Sequence, residues 1–477
     1  MASTLGRYGP STLAGVVPVV TPEEMAAIDK SAPEPVEELI ERAGAAVARA
    51  AVEEMGGTYG RRVVVVAGKG NNGADGRAAA VRLERRGVRV QIFDAADAPS
   101  RLPACDLVVD AAYGTGFRGD YRAPDPGGTP VLAVDIPSGV DGLTGQACDG
   151  AVTAARTVTF AALKPGLLFS PGKQHAGRVT VADIGLVVSA ARIHLVETAD
   201  VAAWLPERPP ETHKWKSALW VVAGSPGMTG AANMASRAAM RAGAGTVRLG
   251  IPGVAADPRF LEVVGRPLPA EGWDPMVVAD SGRVKALVVG PGLGRSDDTA
   301  AAVRRLLAAT PTVPVLVDAD GLYSLGTAAQ ATAVLAERTA STVFTPHEGE
   351  FARLTGSAVG PDRIGAVREL AASTGATVLL KGSTTVVASP DGEVLISDAG
   401  DSRLATAGTG DVLSGVIGAF LAQGLDGLHA AGAGAFVHGR AGHLGWRHGL
   451  VAGDLLDLLP EVLDRETTCP APPSSAR

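Results

Sequence analysis

The chain has 477 residues, 46% of them hydrophobic and 4% aromatic, which is too long for one ordinary domain and apolar enough for two or three cores. A net charge of −7 without a basic run argues against nucleic acid as a partner, and residues 412–425, the longest uncharged run near the C-terminus, are too few and too rich in glycine to span a membrane. Cys105, Cys148 and Cys469 have neither disulfide nor metal spacing, and the N-terminus lacks a signal-type apolar core, so a cytoplasmic enzyme-sized protein is expected.

Residues 1–20 read as a loose extension. Residues 36–55 alternate apolar positions with Glu37, Glu38, Glu41 and Arg42 after Pro35, the pattern of an amphipathic helix. Residues 61–68 form a buried parallel-type strand closed by glycine. A helix over 77–86 and a strand over 88–93 complete a βαβ unit. Strands follow near 107–110, 131–135, 157–161 and 179–181. The expectation is a doubly wound, Rossmann-like α/β domain over 1–205. Residues 206–215, polar and proline-rich, read as a linker. A second α/β series over 216–465 carries strands near 218–224, 246–249, 286–289, 315–317, 342–345, 377–380 and 385–388, with helices near 230–242, 299–309 and 362–373. Residues 466–477 read as a disordered tail.

In the first half, Gly68-x-Gly70-x-x-Gly73 matches a dinucleotide fingerprint between a strand and a helix, with Asp94 where a ribose-binding acid would stand. A plain dehydrogenase is therefore one reading. The same loop also carries Asn71, Asn72 and Asp75. Two more strands end in polar loops, Asp110-Ala-Ala-Tyr-Gly114-Thr-Gly116 and Asp135-Ile-Pro-Ser138-Gly139-Val-Asp141-Gly142. Loops at the C-terminal ends of neighbouring parallel strands share one crevice. This would gather Asn72, Asp110, Asp135 and Ser138, oxygen donors suited to a hard cation, although such residues also form ordinary turns.

These three loops, with Lys164-Pro165-Gly166 and Ala182-Asp-Ile-Gly, resemble the NAD(P)H-hydrate epimerase family over residues 20–185. The resemblance implies a hydrated nicotinamide dinucleotide bound by Asn71, Asn72, Gly73, Ala74, Asp75, Gly114, Thr115, Gly116, Phe117, Arg118, Gly119, Asp120 and Asp135. It implies potassium on Asn72, Asp110 and Ser138, and Asp135 as the acid–base residue at C6. Ala74 stands where the family usually has a second glycine.

The second half is organised around residues 405–424, where Gly408-Thr409-Gly410-Asp411 runs into an apolar helix. Unpaired N–H groups at a helix start make an anion site, and glycines allow close approach. Asp411 there either caps the helix or takes a proton from a nearby hydroxyl. Five more polar loops follow or join strands: 224–231, 290–294, 318–321, 345–350 and 381–385. His347 and Lys381, each unremarkable alone, join a nucleotide and substrate site when read with the glycine turn.

This set resembles the ribokinase-like ADP-dependent NAD(P)H-hydrate dehydratases over residues 213–460. The resemblance implies that Ala231, Gly294, His347 and Asp411 contact the hydrate, and that Lys381, Gly382, Ser383, Thr384, Thr385 and Gly410 contact the nucleotide. Trp215 replaces a usual glycine, with an effect expected at the domain junction. Together the two resemblances imply a homo-oligomeric repair enzyme that epimerises NADH hydrate and NADPH hydrate and dehydrates the S form with ADP and magnesium, releasing AMP and phosphate. A ribokinase-like vitamin-precursor kinase fused to a nucleotide-binding or scaffold domain is the alternative.

Overall fold

A computed structural model describes residues 17–255 and 262–468. Its contacts divide the chain into two units after His194.

The first unit contains β1 (Val17–Val19), β2 (Arg62–Ala67), β3 (Arg89–Asp94), β4 (Leu107–Ala111), β5 (Val131–Val134), β6 (Arg156–Phe160) and β7 (Arg178–Ala182). Six of them form a parallel sheet ordered β3-β2-β4-β5-β6-β7. Its central strands β2, β4 and β5 are almost wholly apolar and buried because both faces are covered, while the edge strands β3 and β7 are largely exposed or half-buried. Along β2, Val63 and Val65 enter the core beneath helix Val36–Met55, while Val64 and Val66 enter a second core on the other face. The chain leaves β2 towards β3 and then returns to β4 on the opposite side. The sheet therefore changes winding direction between β2 and β4, where an open α/β sheet offers its ligand crevice.

In the second unit, β8 (Ile193–Leu195) spans the division and is followed by β9 (Ala218–Val222), β10 (Thr246–Gly250), β11 (Val263–Gly265), β12 (Ala286–Val289), β13 (Val315–Val317), β14 (Thr342–Phe344), β15 (Thr377–Leu380), β16 (Thr385–Ala388) and β17 (Val394–Ser397). Nine strands run in the order β17-β16-β15-β14-β13-β12-β9-β10-β11, with antiparallel pairing only among β15, β16 and β17. The winding switch lies between β9 and β12. Helix Thr409–Gln423 lies close over this sheet at Gly418 and close against helix Thr229–Arg241 at Gly415, because neither residue has a Cβ. A side chain at Gly415 would strike the Ala235 carbonyl, and one at Gly418 the Val288 methyl.

The expected α/β class is observed in both units. Four details differ from the sequence reading. Val17–Val19 is a buried strand bridged to Leu163, not part of a loose extension; residues 1–16 lie outside the described residues. The helix expected at 77–86 runs over Asn71–Glu84, since Gly70 serves as its N-cap in an extended conformation. Strands β11 and β17 and helix Gly427–Leu444 were not anticipated. That helix contains Gly432 and Gly434, poor helix formers, yet their bare backbones let it pack on Leu395 and Ile417. The last helix, Ala452–Thr468, enters the segment expected to be a disordered tail, and residues 469–477 lie outside the described residues.

Candidate active sites

In the first unit a cleft of about 830 Å³ opens at the winding switch. Gly68–Asn72 and Asp75 line one wall, Tyr113–Arg118 a second, and Asp135 and Lys164 the floor. The glycines follow from packing: a side chain at Gly73 would fall on the Gly68 carbonyl oxygen, and one at Gly68 on that of Ala112. Of the sequence-predicted residues, Asn71, Asn72, Asp75, Gly114, Thr115, Gly116, Phe117, Arg118 and Asp135 reach the cleft. Gly73 is buried behind it, and Ala74, Gly119 and Asp120 are not among its lining residues.

Asp135 follows β5 with φ 66°, a left-handed conformation that a non-glycine residue adopts at a cost and that is concentrated at functional sites. Its carboxylate accepts from Lys164 Nζ at 2.9 Å, from Thr159 Oγ1 at 3.1 Å and from the Thr115 N–H at 3.1 Å. Burial by itself would raise its pKa. The Lys164 charge and these hydrogen bonds outweigh burial and hold the carboxyl below its usual range. Lys164 is 1% exposed and also donates to the carbonyls of Phe160 at 2.8 Å and Ala162 at 3.2 Å. Sequence reasoning placed Lys164 only in a motif and gave it no role. The available signal was a lysine inside the otherwise apolar run Phe160-Ala-Ala-Leu-Lys164.

Asp110 and Ser138 lie behind Tyr113 and do not line this cleft. Ser138 Oγ donates to Asp110 at 2.7 Å, the Ser138 N–H donates to it at 2.8 Å, and the Tyr113 N–H donates to Ser138 Oγ at 2.9 Å. Asp110 is buried with no cation beside it among the described residues. Burial pushes its pKa to about 6 against the pull of the Ser138 hydrogen bonds. Asn72 keeps both side-chain polar atoms buried and unpaired, and its amide lies with Asp135 against Gly114. A buried carboxylate with no cationic partner, Asp110, and an orphaned amide oxygen, Asn72, are each the kind of oxygen donor a hard cation takes. Asp94 is ion-paired with Arg77, whose other nitrogen donates to the Gly68 carbonyl at 2.7 Å.

In the second unit the N-cap of helix Thr409–Gln423 is Gly408, at φ 90°, and no side chain closes the cap. Asp411 therefore does not cap the helix; it stands in the first turn with its carboxyl available. Burial and the charge of Asp318 raise its pKa to about 6, opposed by Lys381. Lys381 is no surface lysine: Nζ lies 2.9 Å from Asp318 and 3.8 Å from Glu350. Burial would lower its pKa, but Asp318, Glu350 and Asp411 outweigh that and raise it. Asp318 also accepts from Ser414 Oγ at 2.7 Å, which ties the β13 loop to the helix. The Gly294 N–H donates to Asp320 at 3.0 Å, and Arg295 Nε does so at 2.7 Å. His347 caps helix Glu348–Thr355 through Nδ1, while Glu350 closes the reciprocal bond. At the β9–β12 switch, Ser225 Oγ donates to the Gly292 carbonyl at 2.9 Å, and Ala231 lies beside Gly292. Thus Ala231 and Gly294 sit at one end of the rim, and Lys381, Gly410 and Asp411 at another. Thr384 is buried and Ser383 exposed beside them. Gly382 lies next to Arg363, and Thr385 begins β16. Asp318 and Glu350 lie in loops that the sequence assigned to the rim but gave no individual role, and Ser414 was not singled out. Trp215 takes the Arg248 guanidinium over its ring at 5.2 Å.

A family model described as NAD(P)H-hydrate dehydratase matches residues 219–464, and one described as YjeF-related protein N-terminus matches residues 36–103 and 93–166. The bifunctional NAD(P)H-hydrate repair enzyme Nnr of Mycobacterium tuberculosis is 42% identical over 81% of this chain and 84% of its own. The corresponding protein of Moorella thermoacetica is 36% identical over 93% of this chain and 96% of its own. A ribokinase-like superfamily protein from Enterococcus faecalis matches the structure with a TM-score of 0.51 at 20% identity, over 58% of this chain and 96% of its own, which supports the ribokinase-like fold. Neither the plain dehydrogenase nor the vitamin-precursor kinase accounts for both family matches. The chain belongs to the family of bifunctional NAD(P)H-hydrate repair enzymes.

Proposed function

We propose that the protein repairs hydrated NADH and NADPH in two steps, with the first unit interconverting the R and S epimers and the second dehydrating the S form at the expense of ADP. The observation that carries the reading is Asp411, a carboxylate in the first turn of a glycine-opened helix with no capping duty and with Lys381 and Asp318 around it. Hydroxide is a poor leaving group. Asp411 takes the proton of the C6 hydroxyl as that oxygen accepts a phosphoryl group from the nucleotide. Phosphate then leaves with the former hydroxyl oxygen as the ring nitrogen lone pair forms C6=N, and loss of the C5 proton to solvent forms the C5=C6 bond and returns the pair to nitrogen, so NAD(P)H, AMP and phosphate are released. The Gly408–Gly410 backbone N–H groups face the transferred phosphoryl, and Lys381 with the 382–385 loop holds the nucleotide.

Among the described residues no group of three or more His, Cys, Asp or Glu is arranged to hold a metal. In this reading magnesium would be carried on the nucleotide phosphates, where it would neutralise charge. In the first unit Asn72, Asp110 and Ser138 would hold potassium, which supplies the positive charge that Asp110 lacks. The reading includes a cytoplasmic homo-oligomer, in line with the free Cys105 and Cys148.

Replacing Asp411 by Asn tests the assignment. Dehydration of S-hydrate should fall by about 10²–10⁴-fold, the usual worth of a positioned base, while nucleotide affinity is kept. Near-normal turnover in this variant would remove Asp411 from the mechanism.

A further inference from the structure

Five carboxyls line the cleft of the first unit, Asp29, Asp75, Asp94, Asp97 and Asp135, of which Asp94 and Asp97 are exposed, and one buried cation, Lys164, stands among them. Lys164 is committed to Asp135 at 2.9 Å. Asp29, on helix Pro22–Ser31, keeps an exposed surface, although burial and the Asp135 charge raise its pKa against the pull of Lys164. Asp75 is only 7% exposed and has neither a hydrogen bond nor an ion pair to its carboxyl among the described residues. The remaining charged groups of the cleft are occupied or peripheral: Asp94 pairs with Arg77, Arg118 with Asp141, and Lys69 is exposed on the loop. A buried carboxyl without a cation or donor keeps its proton. Its place is fixed by the close packing of its own helix, where Gly76 abuts Ala111 and Gly73 abuts Gly68.

We propose that Asp75 is the general acid of the epimerase site, working as the protonated partner of the Asp135 carboxylate; this rests on the epimerase reading given above. Burial, with the charges of Asp135 and Asp29, raises the Asp75 pKa to about 8, so it is protonated at neutral pH, while Asp135 is held ionised. Two carboxyls pushed apart in this way are the arrangement that acid–base catalysis at one carbon needs. The Asp75 proton goes to the C6 hydroxyl. The C6–O bond breaks with its electron pair on the departing water, and the ring nitrogen lone pair forms the C6=N bond. Water then adds to the other face of C6, the C=N pair returns to nitrogen, and the surplus proton of the water passes to Asp135. Exchange with solvent restores the two protonation states.

The test uses the full chain and purified R-hydrate without nucleotide, so that dehydration is idle, and follows appearance of the S epimer across pH after subtraction of the spontaneous rate. Wild type should lose rate on the alkaline side as Asp75 ionises. Asp75→Asn should be slower by about 10²-fold or more and lack that alkaline fall. Asp75→Glu should keep a measurable rate with the alkaline fall displaced, and it decides the matter if the Asn variant does not fold. An unchanged rate in Asp75→Asn, or an alkaline fall that Asp75→Glu leaves in place, overturns the proposal while leaving the epimerase reading intact. A wild type that does not speed epimerisation at all overturns both.

Discussion

The buried aspartates Asp75, Asp110 and Asp135 and the half-buried Asp411 hold their protons differently because their neighbours differ. Asp135 has a lysine and three hydrogen-bond donors and is held ionised; Asp75 has none of these and is pushed to about 8. Asp411 lies between them, at about 6, because burial and Asp318 oppose Lys381. A general base must be ionised to act. Dehydration of S-hydrate should therefore rise as pH increases through about 6 and be progressively lost below it, a limb that a kcat/KM profile would show. A rate flat through that range would mean that Asp411 does not carry the proton. Asp411 itself was legible in the sequence, but its position alone reads equally as a cap, and only the family resemblance implies that it deprotonates the C6 hydroxyl. The choice turned on Gly408 taking the left-handed N-cap position, which spacing alone does not reveal. Lys164 was legible only as a motif letter, because its value depends on Asp135, a residue far away in sequence and joined to it by the fold.

At the scale of elements, both sites follow from where glycine permits backbones to meet. Gly73 lies against the Gly68 carbonyl, and that contact brings helix Asn71–Glu84 onto the end of β2 with Asn72 and Asp75 facing the cleft. Gly73→Ala should cost about 1–3 kcal/mol through overpacking and displace this helix start. The expected result is a lower melting temperature and a loss of epimerase activity larger than any loss of dehydratase activity; a variant with wild-type epimerisation would show that the contact can relax without consequence. Most of the buried β-strands were legible as short apolar runs, several of them closed by glycine or aspartate, as in β2, β4, β5, β12 and β13, whereas the buried β17 was not. The beginning of helix Asn71–Glu84 was hidden, since Asn-Asn-Gly-Ala-Asp-Gly is also turn chemistry, and helix Gly427–Leu444 was hidden by its glycines.

For the molecule as a whole, two parallel sheets each change winding direction once near a site, between β2 and β4 and between β9 and β12. The motifs in the sequence anticipated that the loops ending these strands converge, but not the strand order that places each switch. What the sequence could not supply was the network behind each loop, such as Ser414 on Asp318 or Ser138 on Asp110, which needs the register of the strands. The account's central claim is that one chain carries two successive activities on one damaged dinucleotide. It is tested most directly by adding the protein, ADP and magnesium to a mixture of R- and S-NADPH hydrate and following the returning absorbance of the dihydronicotinamide. The account predicts recovery of the whole mixture, with the R fraction consumed well above its spontaneous epimerisation rate; recovery of the S fraction alone, or none, would contradict it.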